Sequence, residues 1–292
     1  MDNKNNKTEN KKAGFNWYPG HMTKAKRRMQ EDIKLVDIIL DIRDARAPLS
    51  STNPDLKQMC NNKERVILLN KSDLSDKKVN DAWIEYYASK GIKVICIDAR
   101  KKNYLKDIRK LIDERSAEKR ERDLKRGIKN RQIKVMAAGI PNVGKSTIIN
   151  TFAGSKRAKT GDKPGVTRGN QWISLGKDIL LLDTPGILWP KFDNEKTAMN
   201  LCLISSIRDE IADPEDIFRF FYEELSESYP DALKDRYGTI LTSSWDEVLR
   251  DIAILRNCIK SKGEPDTLRA AMLVIDDFRS GALGNISLER PK

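Results

Sequence analysis

The chain has 292 residues, 39% of them apolar and 34% charged, with a formal net charge of +12. That length can bury a sizeable core, in one large domain or two ordinary ones. The longest apolar runs, such as Ile179–Leu182, are strand-length and exclude a membrane span, while four scattered cysteines (Cys60, Cys96, Cys202, Cys258) with no C-x-x-C pair exclude a zinc ribbon or disulfide framework and predict a reducing, cytoplasmic setting.

In chain order, residues 1–14 are polar and Lys/Asn-rich and predict a disordered basic tail. No apolar signal core is present, and Asp2 and Glu9 argue against a transit peptide. A helix is expected from Thr23 to Leu35. Five apolar runs then read as buried strands: Val36–Ile42, Val66–Leu69, Val94–Ile97, Ile133–Ala138 and Ile179–Leu182. Helical segments alternate with them, which predicts an α/β fold with a mostly parallel sheet covered on both faces. The stretch 101–134 starts amphipathic, at Leu105, Ile108, Leu111 and Ile112, and then turns charged, as a helix leading into a linker would. Beyond about residue 195 the strands stop and three or more helices follow. One is marked by Asp266 as N-cap, an apolar stripe at Leu268, Ala271, Met272, Ile275 and Phe278, and Gly281 as its stop. The predicted organisation is the tail, an α/β domain over 15–195 and an all-α domain over 200–292.

The positive charge is confined to two segments. Residues 1–30 hold eight Lys/Arg against two Asp/Glu, residues 101–134 hold fourteen against six, and the remainder is slightly acidic. A polyanion is the natural partner of such segments, because each neutralised phosphate releases condensed counterions. Phe15, Trp17 and Tyr18 follow the tail and can stack on bases. The other reading is a solvated helix and a free tail.

Gly139-Ile140-Pro141-Asn142-Val143-Gly144-Lys145-Ser146 fits G-x-x-x-x-G-K-[ST] at every fixed position, between a strand and a helix opening at Thr147. Backbone N–H groups of such a loop turn inward around phosphates, Lys145 supplies a charge to the outer ones, and the Ser146 hydroxyl suits Mg²⁺. Asn142, Val143, Gly144, Lys145, Ser146 and Thr147 are assigned to the nucleotide on this pattern. Asp183-Thr184-Pro185-Gly186 ends the next strong strand, where an Mg²⁺-holding Asp183 belongs and the Gly186 N–H can reach a terminal phosphate. Thr167, in the intervening polar loop, is either a further hydroxyl ligand for the metal or an ordinary turn threonine.

Asn70-Lys71-Ser72-Asp73 follows the strand Val66–Leu69. A carboxylate there accepts both N1–H and the exocyclic amine of guanine, a pattern adenine lacks, so Asp73 would decide the base. Asn70 can brace the phosphate loop, and the Lys71 stem can lie over the ring. Asp98-Ala99-Arg100 follows the strand Val94–Ile97, where a second base-contacting loop would sit.

These pieces resemble the guanine-nucleotide loops of the translation-factor-like GTPases in permuted order, the base-reading loops preceding the phosphate loop. A permuted order is physically neutral where the original termini lay close together. With Trp17-Tyr18-Pro19-Gly20-His21-Met22, Asp44-Ala45-Arg46-Ala47-Pro48 and Asp276-Asp277-Phe278-Arg279-Ser280-Gly281, the chain over about residues 15–290 is similar to the circularly permuted GTPases of the ribosome biogenesis GTPase A (YlqF) subfamily. The resemblance implies a P-loop GTPase domain with a circularly permuted sheet, Mg²⁺ as cofactor, GTP and GDP as ligands, and a late precursor of the large ribosomal subunit, rRNA and ribosomal proteins, as partner. The second base loop departs from the family's usual Ser-Ala: Asp98 stands where Ser is usual, and the contact expected of it is the backbone N–H of Ala99.

Many GTPases orient the attacking water with a Gln after Asp-x-x-Gly. Here Ile187 and Leu188 follow, so hydrolysis by the chain alone should be slow and the missing group must come from elsewhere. Asn142 resembles the Asn that holds K⁺ in cation-activated relatives, where the ion supplies transition-state charge; a plain loop-bracing Asn is the other reading. His21, the one histidine, is the second candidate: it can exchange a proton near neutral pH and sits in a Pro-Gly turn on the N-terminal arm. Against it stands a surface or RNA-contacting histidine. Two functions follow: a Mg²⁺-dependent GTPase whose turnover is coupled to ribosome assembly, or an RNA-binding placeholder in which GTP only holds the bound shape. Residues 205–292 hold twelve Lys/Arg against eighteen Asp/Glu, so any rRNA contact there must use a local stripe, or the region binds protein.

Overall fold

The apolar runs form a six-stranded sheet: β1 Ile38–Asp44, β2 Glu64–Asn70, β3 Lys93–Ile97, β4 Ile133–Ala138, β5 Gln171–Leu175 and β6 Ile179–Asp183. The computed structural model describes residues 21–60, 63–129, 131–154, 171–184, 186, 188, 194–207, 211–238 and 244–292, without the side chains of 21–26 and 57. The strand order is β3-β2-β1-β4-β6-β5. All neighbours run parallel except β5, which pairs antiparallel with β6. β5 is absent from the sequence-based expectation for a physical reason. It is an edge strand of five residues with only Ile173 and Leu175 buried and Trp172 exposed, so it lacks the continuous apolar run of a strand covered on both faces.

The parallel register brings the strand ends together. Asp44 lies opposite Asn70, Asn70 opposite Ile97, and Ala137 opposite Asp183. The loops after β1, β2, β3, β4 and β6 therefore emerge along one edge, where ligands bind in open α/β sheets. Helix α1 His21–Leu35 precedes β1, and α2 Pro54–Met59, α3 Lys77–Ser89, α4 Leu105–Lys125 and α5 Lys145–Ala153 lie in the connections between strands. Among the described residues no helix is long and apolar enough to cross a membrane.

Two expectations are corrected here. The charged half of 101–134 is not a linker: α4 continues to Lys125. Three of its cations make pairs that dock or brace the helix, Lys119 with Asp37, Arg115 with Glu64 at 3.2 Å and Arg120 with Asp113 at 2.9 Å, and charged stems can cover apolar surface while their heads stay wet. His21 does not sit in a turn; it is the first residue of α1.

Beyond β6 lie α6 Glu195–Leu203, α7 Pro214–Ser228, α8 Ala232–Tyr237, α9 Trp245–Leu255 and α10 Thr267–Ser280. As expected, α10 is capped by Asp266, whose carboxylate accepts from Arg269 N at 3.1 Å, and stops at Gly281 with φ 82°. Its buried stripe is rotated from the expected one, however. Ala270, Ala271, Val274, Ile275 and Phe278 face α7 and α9, while Leu268 and Met272, on the other side of the 3.6-residue turn, are about half exposed. After Gly281 the chain returns to the sheet: Ile286 N donates to Leu74 O (3.1 Å), Leu288 N to Arg46 O (2.8 Å), and Leu49 N to the Glu289 carboxylate (2.6 Å). The hydrophobic core is accordingly continuous, from Ile38 and Val135 in the sheet to Phe278 and Leu288.

Candidate nucleotide site

The phosphate loop joins β4 to α5. Two of its residues take left-handed backbone, Asn142 with φ 60° and Gly144 with φ 94° at the helix N-cap, and a helix N-terminus such as that of α5 favours an anion held there. Gly144 is required twice over. Its φ disfavours any side chain, and a Cβ would collide with Asn70 Nδ2. Lys145 is buried, with Nζ donating to Ile140 O at 2.7 Å. Burial lowers its ammonium to about 8, opposed by Asp183. Burial likewise pushes the Asp183 carboxyl up to about 6, opposed by Lys145, and Asp183 Oδ1 is buried with no hydrogen-bond partner among the described residues. An orphaned carboxylate oxygen beside a phosphate loop is a fitting ligand for a hard cation. Ser146 is the second residue of α5, next to Lys145, so the residues present fit Mg²⁺. Thr167 lies outside the described residues. Gly186 packs close enough that a Cβ would stand 2.8 Å from Lys145 Nζ and 2.8 Å from Pro141 N, which keeps its backbone against the phosphate loop.

Asn70 ties three loops together. Its Nδ2 donates to Val143 O in the phosphate loop at 2.7 Å, and its Oδ1 accepts from Ala99 N at 2.9 Å. The bracing role expected of Asn70 is thus present, and the same bond fixes the Asp98–Arg100 loop. Asp98 is absorbed locally: its carboxylate accepts from Arg100 N at 3.1 Å and Arg100 Nε at 2.9 Å, and the Arg100 bond holds it below its usual range. Arg100 Nη2 also donates to Asp73 Oδ2 at 2.5 Å, so one exposed guanidinium bridges the carboxylates of Asp73 and Asp98. Lys71, with φ 60°, extends its ammonium to Asp44 Oδ2 at 3.1 Å.

The chain is similar to known proteins along most of its length. A family model described as 50S ribosome-binding GTPase matches residues 134–220, a range that contains the phosphate loop but not Asn70–Asp73. Ribosome biogenesis GTPase A of Priestia megaterium is 41% identical over 277 residues, covering 94% of this chain and 96% of that protein. The chain belongs to the ribosome biogenesis GTPase A family. The namesake from Thermotoga maritima is 34% identical over 278 residues, covering 95% of each chain. The GDP-bound structure of TM YlqF matches with a TM-score of 0.67 at 32% identity, over 91% of this chain and 99% of that one; GNP-bound YlqF from T. maritima matches at 0.66 and 32%, over 92% and 99%. The fold is therefore that of a circularly permuted P-loop GTPase, with the strand ends of β2 and β3, at Asn70 and Ile97, ahead of the phosphate loop in the chain.

In this member of the ribosome biogenesis GTPase A family, the strand-end register and the bonds of Asn70 gather the described candidates, Asn70, Lys71, Asp73, Ala99, the 142–147 loop, Asp183 and Gly186, along one sheet edge. The side chain of His21 and the placement of Ile187 lie outside the described residues. Asn142 is engaged: its Nδ2 donates to Ser205 O at 2.7 Å, and Ser206 Oγ donates to Pro141 O at 3.0 Å, so the segment after α6 holds the phosphate loop. Ser205 and Ser206 carry no motif that sequence reading could detect. Arg46 and Asp44 were visible only as part of a family match.

Proposed function

We propose that the chain is a Mg²⁺-dependent GTPase that binds a late precursor of the large ribosomal subunit, in the cytoplasm, and couples GTP hydrolysis to its maturation. The observation that carries the guanine-nucleotide reading is Asn70, one side chain bonded to both the phosphate loop and the Ala99 loop, which supports Asp73 and Lys145 acting on one ligand. Ser146, Thr167 and Asp183 would hold Mg²⁺, which when bound neutralises charge developing on the phosphates. Lys145 binds the outer phosphates, Gly186 N–H donates to the terminal one, and Asp73 orients the base. K⁺ at Asn142 is a further cation proposal, its Nδ2 being already bonded to Ser205. The proposed organisation is a GTPase domain over 15–195 and a helical domain over 200–292, the phosphate loop touching the latter through Ser205 and Ser206.

The partner reading rests on the names of the relatives, the 50S ribosome-binding description of the matched family, and the charge. Lys106, Lys110, Arg122 and Lys125 lie exposed along α4. The acidic helical region instead exposes Ile254, Leu255, Leu268 and Met272, which favours protein contacts there. Sedimentation with large-subunit precursor particles should require GTP rather than GDP and weaken steeply with salt, about tenfold or more between 50 and 200 mM, and charge reversal on α4 should flatten the slope. Binding indifferent to nucleotide and salt would sink the proposal.

His21 is proposed to activate water once the partner places the N-terminal arm. His21→Ala should then leave GTP affinity unchanged and cut particle-stimulated hydrolysis about a hundredfold. Normal stimulation in that variant removes His21 from the reaction, and absence of stimulation in the parent chain favours a placeholder in which hydrolysis is incidental.

A further inference from the structure

Two of the family-matching stretches, Asp44–Pro48 and Asp276–Gly281, have no part in the nucleotide contacts described above. In the fold they meet each other, beneath the base-reading loop. Asp44 ends β1 and is fully buried. Its Oδ1 accepts from Arg46 N (3.1 Å) and Arg46 Nε (2.9 Å); its Oδ2 accepts from Arg46 Nη2 (2.8 Å) and pairs with Lys71 Nζ (3.1 Å). Burial alone would push the Asp44 carboxyl up, but Arg46 and Lys71 outweigh it and hold it well below the usual range. The Arg46 guanidinium lies over the Phe278 ring, 4.9 Å from its centroid, and Leu74 in the base-reading loop packs so closely on Gly281 that a Cβ there would stand 2.8 Å from it.

We propose that Asp44 is a positioning residue for the guanine site, acting through Lys71: it tethers the lysine ammonium so that the stem is held as a platform for the base, and Arg46, clamped by Phe278 of α10, holds Asp44 in turn. The proposal rests on the guanine-nucleotide reading above. The geometry distinguishes a tether from ordinary core polarity in three ways. Asp44 lies directly opposite Asn70 in the β1–β2 register, so its carboxylate is adjacent to the loop it serves. Lys71 occupies left-handed backbone, which β-carbon sterics disfavour and which surrounding contacts must therefore hold. Arg46 engages both oxygens of Asp44 in a fork of bonds, and among the described residues Oδ2 has one further partner outside Arg46, the lysine that follows Asn70. Arg279, next to Phe278, donates to Cys202 O (2.8 Å) and Leu203 O (3.2 Å), so the same turn of α10 also fixes the end of α6, three residues before Ser206. The C-terminal helix thus braces the base side of the nucleotide site through Arg46.

A double-mutant cycle tests this, with GDP affinity read for the full chain, Asp44→Asn, Lys71→Met and the double variant. Each single change is expected to weaken GDP about tenfold, and the double variant no more than either alone, because each breaks the same tether. Asp44→Asn should raise the KM for GTP about tenfold with kcat held within about twofold. If Asp44→Asn does not fold, Arg46→Lys replaces it in the cycle; it keeps the charge and removes the fork, and its smaller loss should likewise vanish in the Lys71→Met background. Losses that multiply, to about a hundredfold in the Asp44 cycle, or in full in the Arg46 one, overturn the tether and leave Asp44 as a folding residue. No GDP binding by the unmodified chain would overturn the guanine-nucleotide reading itself, a different result from multiplicative losses.

Discussion

Asp73→Asn is expected to reduce the preference for GTP over ATP about a thousandfold. A carboxylate accepts from both guanine donors at once, and each charge-assisted bond contributes about 2 kcal/mol, so removing the charge and replacing one acceptor by an amine weakens both. The structure adds a second consequence. Arg100 Nη2 donates to Asp73 Oδ2 at 2.5 Å while also holding Asp98. In the variant the guanidinium loses one of its two carboxylates and keeps Asp98, so the second base loop should stay in place and Ala99 should remain bonded to Asn70. The loss therefore belongs to the base contact and not to a collapsed loop. Competition binding of GTP against ATP checks it, with tryptophan fluorescence as the control for the fold. An unchanged preference would remove Asp73 from base reading.

The second large effect concerns Lys145. Lys145→Met should weaken GTP about a thousandfold, the ratio that about 4 kcal/mol produces, because a buried ammonium poised against phosphate is replaced by a thioether of similar length. It should do so with little effect on the stability of the nucleotide-free chain. Burial already lowers Lys145 to about 8, opposed by Asp183; with the ammonium gone, the buried Asp183 carboxyl, already pushed up to about 6, can take up a proton instead of remaining an unpaired charge, and Met fills the space, so the loss of stability should stay small. Titration with GTP and thermal melting in the absence of nucleotide separate the two statements. A melting temperature that falls together with affinity would make Lys145 a core residue rather than a phosphate ligand.

Much of the site is legible in the sequence because its chemistry is local. A phosphate loop needs its glycines, lysine and hydroxyl within eight residues of one another, between a strand and a helix, and Gly139–Ser146 shows all of them in order. Asn70–Asp73 and Asp183–Gly186 likewise sit at the ends of apolar runs that no other element explains. Helix α10 can be bounded from Asp266 and Gly281 because capping is also local; its buried face cannot, since Leu268 and Met272 are as apolar as the residues that do pack, and only the positions of α7 and α9 decide between the two sides.

The strand-end loops, their permuted order and the ligand class they serve are thus written locally, each in contiguous residues with fixed stereochemical requirements. Tertiary structure alone decided how those loops are held. The edge strand β5 has too few buried positions to announce itself; the charged half of α4 becomes a helix because Asp37 and Glu64, far away in the chain, receive its cations. Asp44 meets Lys71, Phe278 meets Arg46, and Ser205 meets Asn142 across separations of 27 to more than 200 residues. No local pattern encodes such pairs, because what selects them is the cost of burying a polar group without a partner, and that cost arises only once the chain has folded.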